Sequence, residues 1–146
     1  CPPRRLGRLF ALIERAQRYA LGEEINSTVG DKFFGAAAAT PGKVFPMLIR
    51  NAKEHHIKRL RNGHSDAKWI KKKEKPHKVA KAVAKSLDRD IGKLWGETGI
   101  GAPAQHSAEE QGLFFVGYYQ ERYGKKSANS DADGPDDDAP ETGTEE

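Results

Sequence analysis

Five cations recur at helical spacing in the second half of the chain, and the chemistry of such a row is phosphate binding. Side chains three or four positions apart on a helix lie about 5–6 Å from one another, near the spacing of phosphates along a nucleic-acid strand. Few carboxylates are interleaved, which favours a binding face over a solvated face crossed by ion pairs. The pattern predicts a nucleic-acid contact, with an ordinary solvated helix face as the alternative. The five residues, called here the basic stripe, are Lys78, Lys81, Lys85, Arg89 and Lys93.

Two further groups of cations adjoin the basic stripe in the sequence. One is a run of lysines just before the stripe, and the other lies at the end of the helix predicted over residues 41–61. We expect both groups to extend the positive field and to contact phosphates. Trp69 lies beside the lysine run, where it either stacks on an unpaired base or packs against the domain. The cations of the two groups are Lys71, Lys72, Lys73, Arg59 and Arg61.

A separate set of arginines lies on the first predicted helix, on the side away from its apolar residues. Its members are Arg4, Arg8, Arg15 and Arg18. Helical spacing places them on one side of the helix, so they form either a second binding face or a solvated face. The sequence favours neither of these two interpretations over the other.

Residues arranged for catalysis are not found in the sequence. His55 and His56 are neighbours and would face different directions on a helix, and no zinc-binding or phosphate-loop motif accompanies them. His56 falls on an apolar face, so we expect a core histidine with its hydrogen bonds satisfied. Ser107 follows His106 and is interpreted as a helix start rather than a nucleophile. We therefore expect a protein without enzymatic activity, metal or cofactor.

The charge of the chain is divided between two regions. The formal net charge is +4, but residues 127–146 contain eight acids and neither Lys nor Arg. The first 126 residues thus hold all 25 Lys and Arg against 13 acids. A domain with such an excess usually meets a polyanion. The sequence predicts one folded domain over 1–126 and a disordered acidic tail over 127–146.

Hydrophobic periodicity predicts an all-α fold. Apolar residues recur at helical spacing in several segments, and no alternating pattern typical of strands is present. With short connections between them, these segments indicate a bundle of about five helices. No apolar run is long enough to span a membrane, and the single cysteine, Cys1, excludes an intramolecular disulfide, so we expect a cytoplasmic protein. The predicted helices cover residues 4–21, 29–39, 41–61, 77–95 and 108–123.

The last predicted helix is unusually rich in aromatic residues. The pattern is interpreted first as packing in the core. Because its apolar side chains are too many for one face, the alternative is that one side meets a partner chain while the rest fills the core. The residues proposed for the partner interface are Phe114, Tyr118 and Tyr119.

Three segments of the chain resemble a known family. They are LGRLFALIERAQ (6–17), INSTVGDKFFGAAAATPGKVFPMLIRNAKEHH (25–56) and AEEQGLFFVGYYQERY (108–123). Together they resemble the C-terminal region of the large subunit of the type I-C CRISPR interference complex, Cascade. That region is also made separately as the small subunit of the same complex. The acidic tail lies outside this resemblance.

The resemblance implies a helical, non-catalytic subunit of a prokaryotic, RNA-guided complex. Its implied partners are the backbone subunits that carry the CRISPR RNA, the large subunit, a second copy of itself, the target DNA and the displaced strand. In such a complex guide pairing reads the sequence, and the protein contacts phosphates of the R-loop. Two alternatives stay open: a scaffold that never touches DNA, and a free-standing protein that binds nucleic acid.

Overall fold

The computed structural model describes residues 1–25, 28–98 and 101–124. All regular elements in these ranges are helical, which confirms the predicted all-α fold. The acidic tail predicted over 127–146 lies outside the described residues. The helices are α1 (Pro2–Leu21), α2 (Val29–Ala39), α3 (Pro41–Asn51), α4 (Lys58–Arg61), α5 (Lys68–Lys71), α6 (Pro76–Thr98) and α7 (Ala108–Tyr123), and a π-helical turn (Ala52–Ile57) joins α3 to α4.

Helix α1 lies at the centre of the bundle, where it packs against α7, α6, α2 and the π-helical turn. Its apolar residues therefore point in several directions, and Leu6, Phe10 and Ala11 are all fully buried. The helix ends as predicted at Gly22, whose φ of 91° lies in the left-handed region and whose N–H donates to the Arg18 carbonyl.

Side-chain caps define the starts of α2 and α7. Thr28 accepts a hydrogen bond from the N–H of Asp31, and the Asp31 carboxylate accepts one from the N–H of Thr28. Ser107 and Glu110 form the same reciprocal pair at the start of α7. This capping box confirms the interpretation of Ser107 as a helix start.

The helix predicted over 41–61 contains a feature that the periodicity did not indicate. Helical structure continues to Arg61, but the π-helical turn inserts one extra residue per turn and rotates everything after it. Ile57 therefore enters the core, fully buried, while His56 is only partly covered. Thr40 immediately precedes α3 but does not cap it through its side chain, because its hydroxyl donates to the Ala36 carbonyl.

Helices α1 and α7 approach each other more closely than ordinary side chains allow. A Cβ atom at Gly7 would overlap the carbonyl oxygen of Phe114, and one at Gly117 would overlap the carbonyl oxygen of Arg4. Glycine at both positions lets the two backbones touch. This α1–α7 seam positions Phe114 among Phe10, Phe34 and Phe45 at the centre of the core.

Candidate nucleic-acid interface

Helix α6 presents the basic stripe to the surface as a single row. Ala80, Val83 and Leu87 are buried on the opposite side of the helix, which fixes its rotation against the bundle. The amphipathic pattern of the sequence thus predicted the orientation correctly. All five residues of the stripe are exposed: Lys78, Lys81, Lys85, Arg89 and Lys93.

Most cations of the stripe have no acidic partner among the described residues. Arg89 is the exception, because its Nε lies 3.1 Å from Oδ1 of Asp90. Asp88 also lies on α6, but its carboxylate faces Lys53 at 3.7 Å and Arg61 at 3.6 Å and is thus balanced by cations of neighbouring elements. An exposed row of unpaired ammonium groups can exchange its counterions for phosphates, and that exchange drives nucleic-acid binding.

The cations predicted to extend the stripe differ in their surroundings. Lys71, Lys72 and Lys73 are all exposed and continue the positive surface beyond the start of α6. Arg59 also makes contacts within the fold: Nη2 lies 3.0 Å from Oδ2 of Asp66, and Nε donates to the Ala20 carbonyl at 3.3 Å.

Two further residues named in the sequence lie at the edges of this surface. Arg61 is exposed at the end of α4 and pairs with Asp88 across to α6. Trp69 is partly buried: its ring meets Tyr19 edge-on at 5.2 Å, and Lys73 lies over it at 5.7 Å. Much of the Trp69 ring therefore packs against the domain, as one of the two interpretations from the sequence had it. Lys73 of the lysine run makes a cation–π contact with the same ring.

Helix α7 covers part of the arginine row on α1. The Arg15 side chain is only 10% exposed, Nη1 lies 3.3 Å from Oε2 of Glu121, and Nη2 donates to the Glu121 carbonyl at 2.9 Å. Arg8 pairs with the other oxygen of the same carboxylate at 3.3 Å. The interpretation as a binding face is wrong for Arg15, because α7 covers the side of α1 that a helical wheel leaves in solvent.

The predicted partner interface on α7 also needs correction. Phe114 is fully buried and Tyr118 is 7% exposed, so neither ring is open to a partner, whereas Tyr119 is 54% exposed. The α1–α7 seam turns Phe114 and Tyr118 inward. The Tyr118 hydroxyl donates to the Glu14 carboxylate, and burial is the main cause that raises the pKa of this phenol.

A different set of α7 residues forms an exposed apolar surface. Tyr119 and Tyr123 stack on each other at 5.8 Å, and Phe115 stacks on Phe34 of α2 at 5.5 Å. The sequence missed Phe115 and Tyr123 because aromatic residues follow one another too closely to assign faces without knowing the seam. This surface, called here the aromatic patch, consists of Phe115, Val116, Tyr119 and Tyr123.

The histidines have structural surroundings that the sequence did not predict. His56 Nδ1 is buried and has no hydrogen-bond partner among the described residues, which corrects the expectation of a satisfied core histidine. Burial, and then the proximity of His55, lower the pKa of His56, so its imidazole is neutral near pH 7. His106 is buried, with Nδ1 2.8 Å from the Ala38 carbonyl, and it fixes the segment before α7 to the end of α2.

No metal centre is defined by the side chains of residues 1–25, 28–98 and 101–124, since no three His, Cys, Asp or Glu residues converge. Nor does any helix in these ranges combine the length and the apolar character that crossing a membrane requires.

The fold and its surface define the class of protein as a small helical domain with an open cationic helix on one side. Residues 2–124 match the family model of the CRISPR-associated protein Cas_Csd1, and the chain belongs to that family. It is thus related to type I-C Cascade, as the sequence resemblance indicated. A comparison with curated proteins found no match.

Proposed function

We propose that the chain acts as a non-catalytic small subunit of a type I-C Cascade, in which the basic stripe contacts DNA phosphates. The observation that carries this proposal is the row of exposed lysines on α6 that have no acidic partner among the described residues, at Lys78, Lys81, Lys85 and Lys93. Membership of a CRISPR-associated family supplies the setting. The contact would stabilise the R-loop and the displaced strand, while guide RNA pairing reads the sequence.

Assembly into the complex requires a second surface that does not compete with DNA. The aromatic patch supports this role, because its residues carry no charge and covering its exposed rings with a partner removes apolar surface from water, which is favourable. We propose that the patch faces a protein subunit while the basic stripe stays free for nucleic acid. Cytoplasmic location belongs to the same proposal.

The test is a double charge reversal on the stripe, Lys81→Glu with Lys85→Glu. Both side chains are exposed, so the fold should be retained, and affinity of the assembled complex for target DNA should fall at least tenfold. Each phosphate that the protein no longer neutralises reduces the slope of log K against log salt by about 0.7 to 0.9. With two such phosphates, the slope should become shallower by roughly 1.4 to 1.8.

A matched control reverses two exposed cations of α3, Lys43→Glu with Arg50→Glu. Net charge changes equally, so a purely long-range effect would appear in both double variants. Loss of affinity confined to the stripe variant supports direct contact. Unchanged DNA binding by a correctly assembled stripe variant would contradict it.

The scaffold alternative, in which the chain never touches DNA, uses the same exposed aromatic patch for assembly and differs in the role it gives to the basic stripe, which would then contact acidic surfaces of neighbouring subunits. In that case Phe115→Ser with Tyr119→Ser should prevent incorporation into the complex, and charge reversal on α6 should do so too. Gel filtration of complexes assembled with each variant separates the two functions. If the basic stripe contacts DNA, the charge-reversed variant should still assemble normally; if the chain is a scaffold, it should not.

A further inference from the structure

A pocket of about 240 Å³ lies on a face of the bundle that is built by α1, α2, α3 and the π-helical turn. Its apolar wall includes Ile13, Val29 and Leu48, and Phe33 contributes an aromatic ring that is only partly buried. The volume is below that of sites for drug-sized ligands, which hold roughly 300–1,000 Å³. The pocket therefore suits a single planar ring rather than a larger molecule.

The polar side of the pocket contains cationic, imidazole and amide groups and, among the described residues, no carboxylate. Lys32, His55 and His56 line it together with the amides of Gln17 and Asn51, and neither Asp nor Glu is among the described lining residues. Lys32 is exposed and makes no ion pair with the described residues, so its ammonium group can meet a phosphate. An apolar slot with an exposed cation among its lining residues matches a base and its phosphate.

The π-helical turn gives this pocket its unusual histidine. The extra residue in the turn carries Ile57 into the core and leaves His56 at the pocket. Since Nδ1 of His56 has no partner among the described residues, no protein group there fixes the tautomer of the ring. Its second nitrogen can therefore donate or accept a hydrogen bond, and the edge of a nucleobase presents both kinds of group.

We propose that this pocket holds one unpaired nucleobase of DNA or RNA, with the base against Phe33 and within reach of His56, and its phosphate at Lys32. The proposal rests on the proposed function only in that nucleic acid is the ligand, because the pocket does not involve α6. Stacking on an aromatic ring with hydrogen bonds to the base edge is the ordinary way in which proteins hold splayed-out bases.

The test is an NMR titration of the 146-residue chain with three ligands of equal length: oligothymidylate, oligouridylate and an abasic oligodeoxynucleotide. Signals of Phe33 and His56 should shift with the two base-bearing strands and stay in place with the abasic strand. The larger response identifies DNA or RNA as the preferred source of the base. Pocket signals that stay in place with all three, or that respond equally to the abasic strand, would overturn the proposal.

Failure of the stripe and failure of the pocket give different results in this titration. Signals of Lys81 and Lys85 should move with all three strands, because phosphates are common to them. If those signals stay in place, the proposed DNA contact fails, and the pocket is then tested alone with thymidine 5′-monophosphate at millimolar concentration. Pocket shifts with that nucleotide support the base site, and their absence contradicts it.

Substitution of His56 separates binding from folding. In His56→Leu, a buried nitrogen without a partner in the described residues is replaced by an apolar side chain, so stability should be equal or higher. Affinity for oligothymidylate should nevertheless fall about fivefold, the scale of one hydrogen bond. His56→Asn keeps a polar side chain and should restore part of the affinity. Unchanged affinity in His56→Leu would overturn the assignment.

Discussion

Helices α1 and α6 both carry arginine or lysine at helical spacing, yet the structure uses the two cationic rows in opposite ways. On α1, Arg8 and Arg15 are directed at Glu121 of α7, and Arg15 is largely covered. On α6, the lysines stay exposed, and the carboxylate of Asp88 is balanced by Lys53 and Arg61. A cationic row therefore indicates a binding surface only when no other element covers it.

The largest difference in stability between α1 and α6 should appear when a glycine of each helix is replaced by alanine. Gly7→Ala forces a Cβ into the carbonyl of Phe114 across the α1–α7 seam, where neither backbone can move away cheaply. We expect a loss of about 3 kcal/mol or more in the free energy of unfolding. Gly92→Ala on α6 meets no atom within 4 Å and should stabilise by up to about 1 kcal/mol.

Urea denaturation of both glycine variants measures this contrast. A similar stability for Gly7→Ala and wild type would mean that the seam can open, and the close approach of α1 and α7 would be disproved.

The second prediction removes one cation from each row. Arg15→Met leaves Glu121 in a mostly covered site, with Arg8 as a remaining cation, and should cost about 2 kcal/mol. Lys85→Met removes an exposed cation without an acidic partner in the described residues and should change stability by less than about 0.5 kcal/mol. Thermal unfolding of the pair compares them, and equal losses would erase the distinction between the two rows.

The third prediction concerns the hydroxyl of Tyr118, which donates to Glu14 across the seam. Its pKa is raised above 10 in the folded protein, so the protonated phenol is favoured by folding. This stabilisation is complete below pH 10 and is lost as the pH rises further. Tyr118→Phe should cost about 1 kcal/mol at pH 8 and should flatten the decline of stability between about pH 9.5 and 11.

Measurements of the free energy of unfolding across that pH range, on wild type and Tyr118→Phe, provide the check. Parallel curves would show that the Tyr118 hydroxyl does not contribute in the way described.

The smallest expected effect on stability is that of Asp88→Asn on α6. The ion pairs of Asp88 are exposed, so their loss should cost no more than about 0.5 kcal/mol. The same change frees Lys53 and Arg61 and makes the face more positive, so DNA affinity should rise and the salt slope should steepen. Weaker DNA binding by Asp88→Asn would argue against phosphate contact on this side of α6.

Much of the fold follows from patterns within single helices. The bounds of α1, α2 and α7 and the buried face of α6 agree with the sequence, because caps and periodicity are local properties. The π-helical turn was missed because it changes the register without changing composition. The exchange of His56 for Ile57 in the core is the direct result.

In the candidate site too, the sequence predicted what depends on a single helix and missed what depends on contacts between helices. The exposure of Lys81 and Lys85 follows from the amphipathic pattern of α6 alone. The roles of Arg15 and Phe114 depend on a contact between the first and last described helices, and Arg59 depends on Asp66 in a loop. No pattern within one helix carries information about such distant neighbours.

The α1–α7 seam also has a consequence for synthesis of the chain. About one hundred residues separate the end of α1 at Leu21 from the end of α7 at Tyr123. At the usual elongation rate of about 5–20 residues per second, α1 waits roughly 5–20 s for the helix that covers it. During that time Leu6, Phe10 and Ile13 lack their final neighbours. Nascent chains that stop before α7 should therefore aggregate or be bound by chaperones.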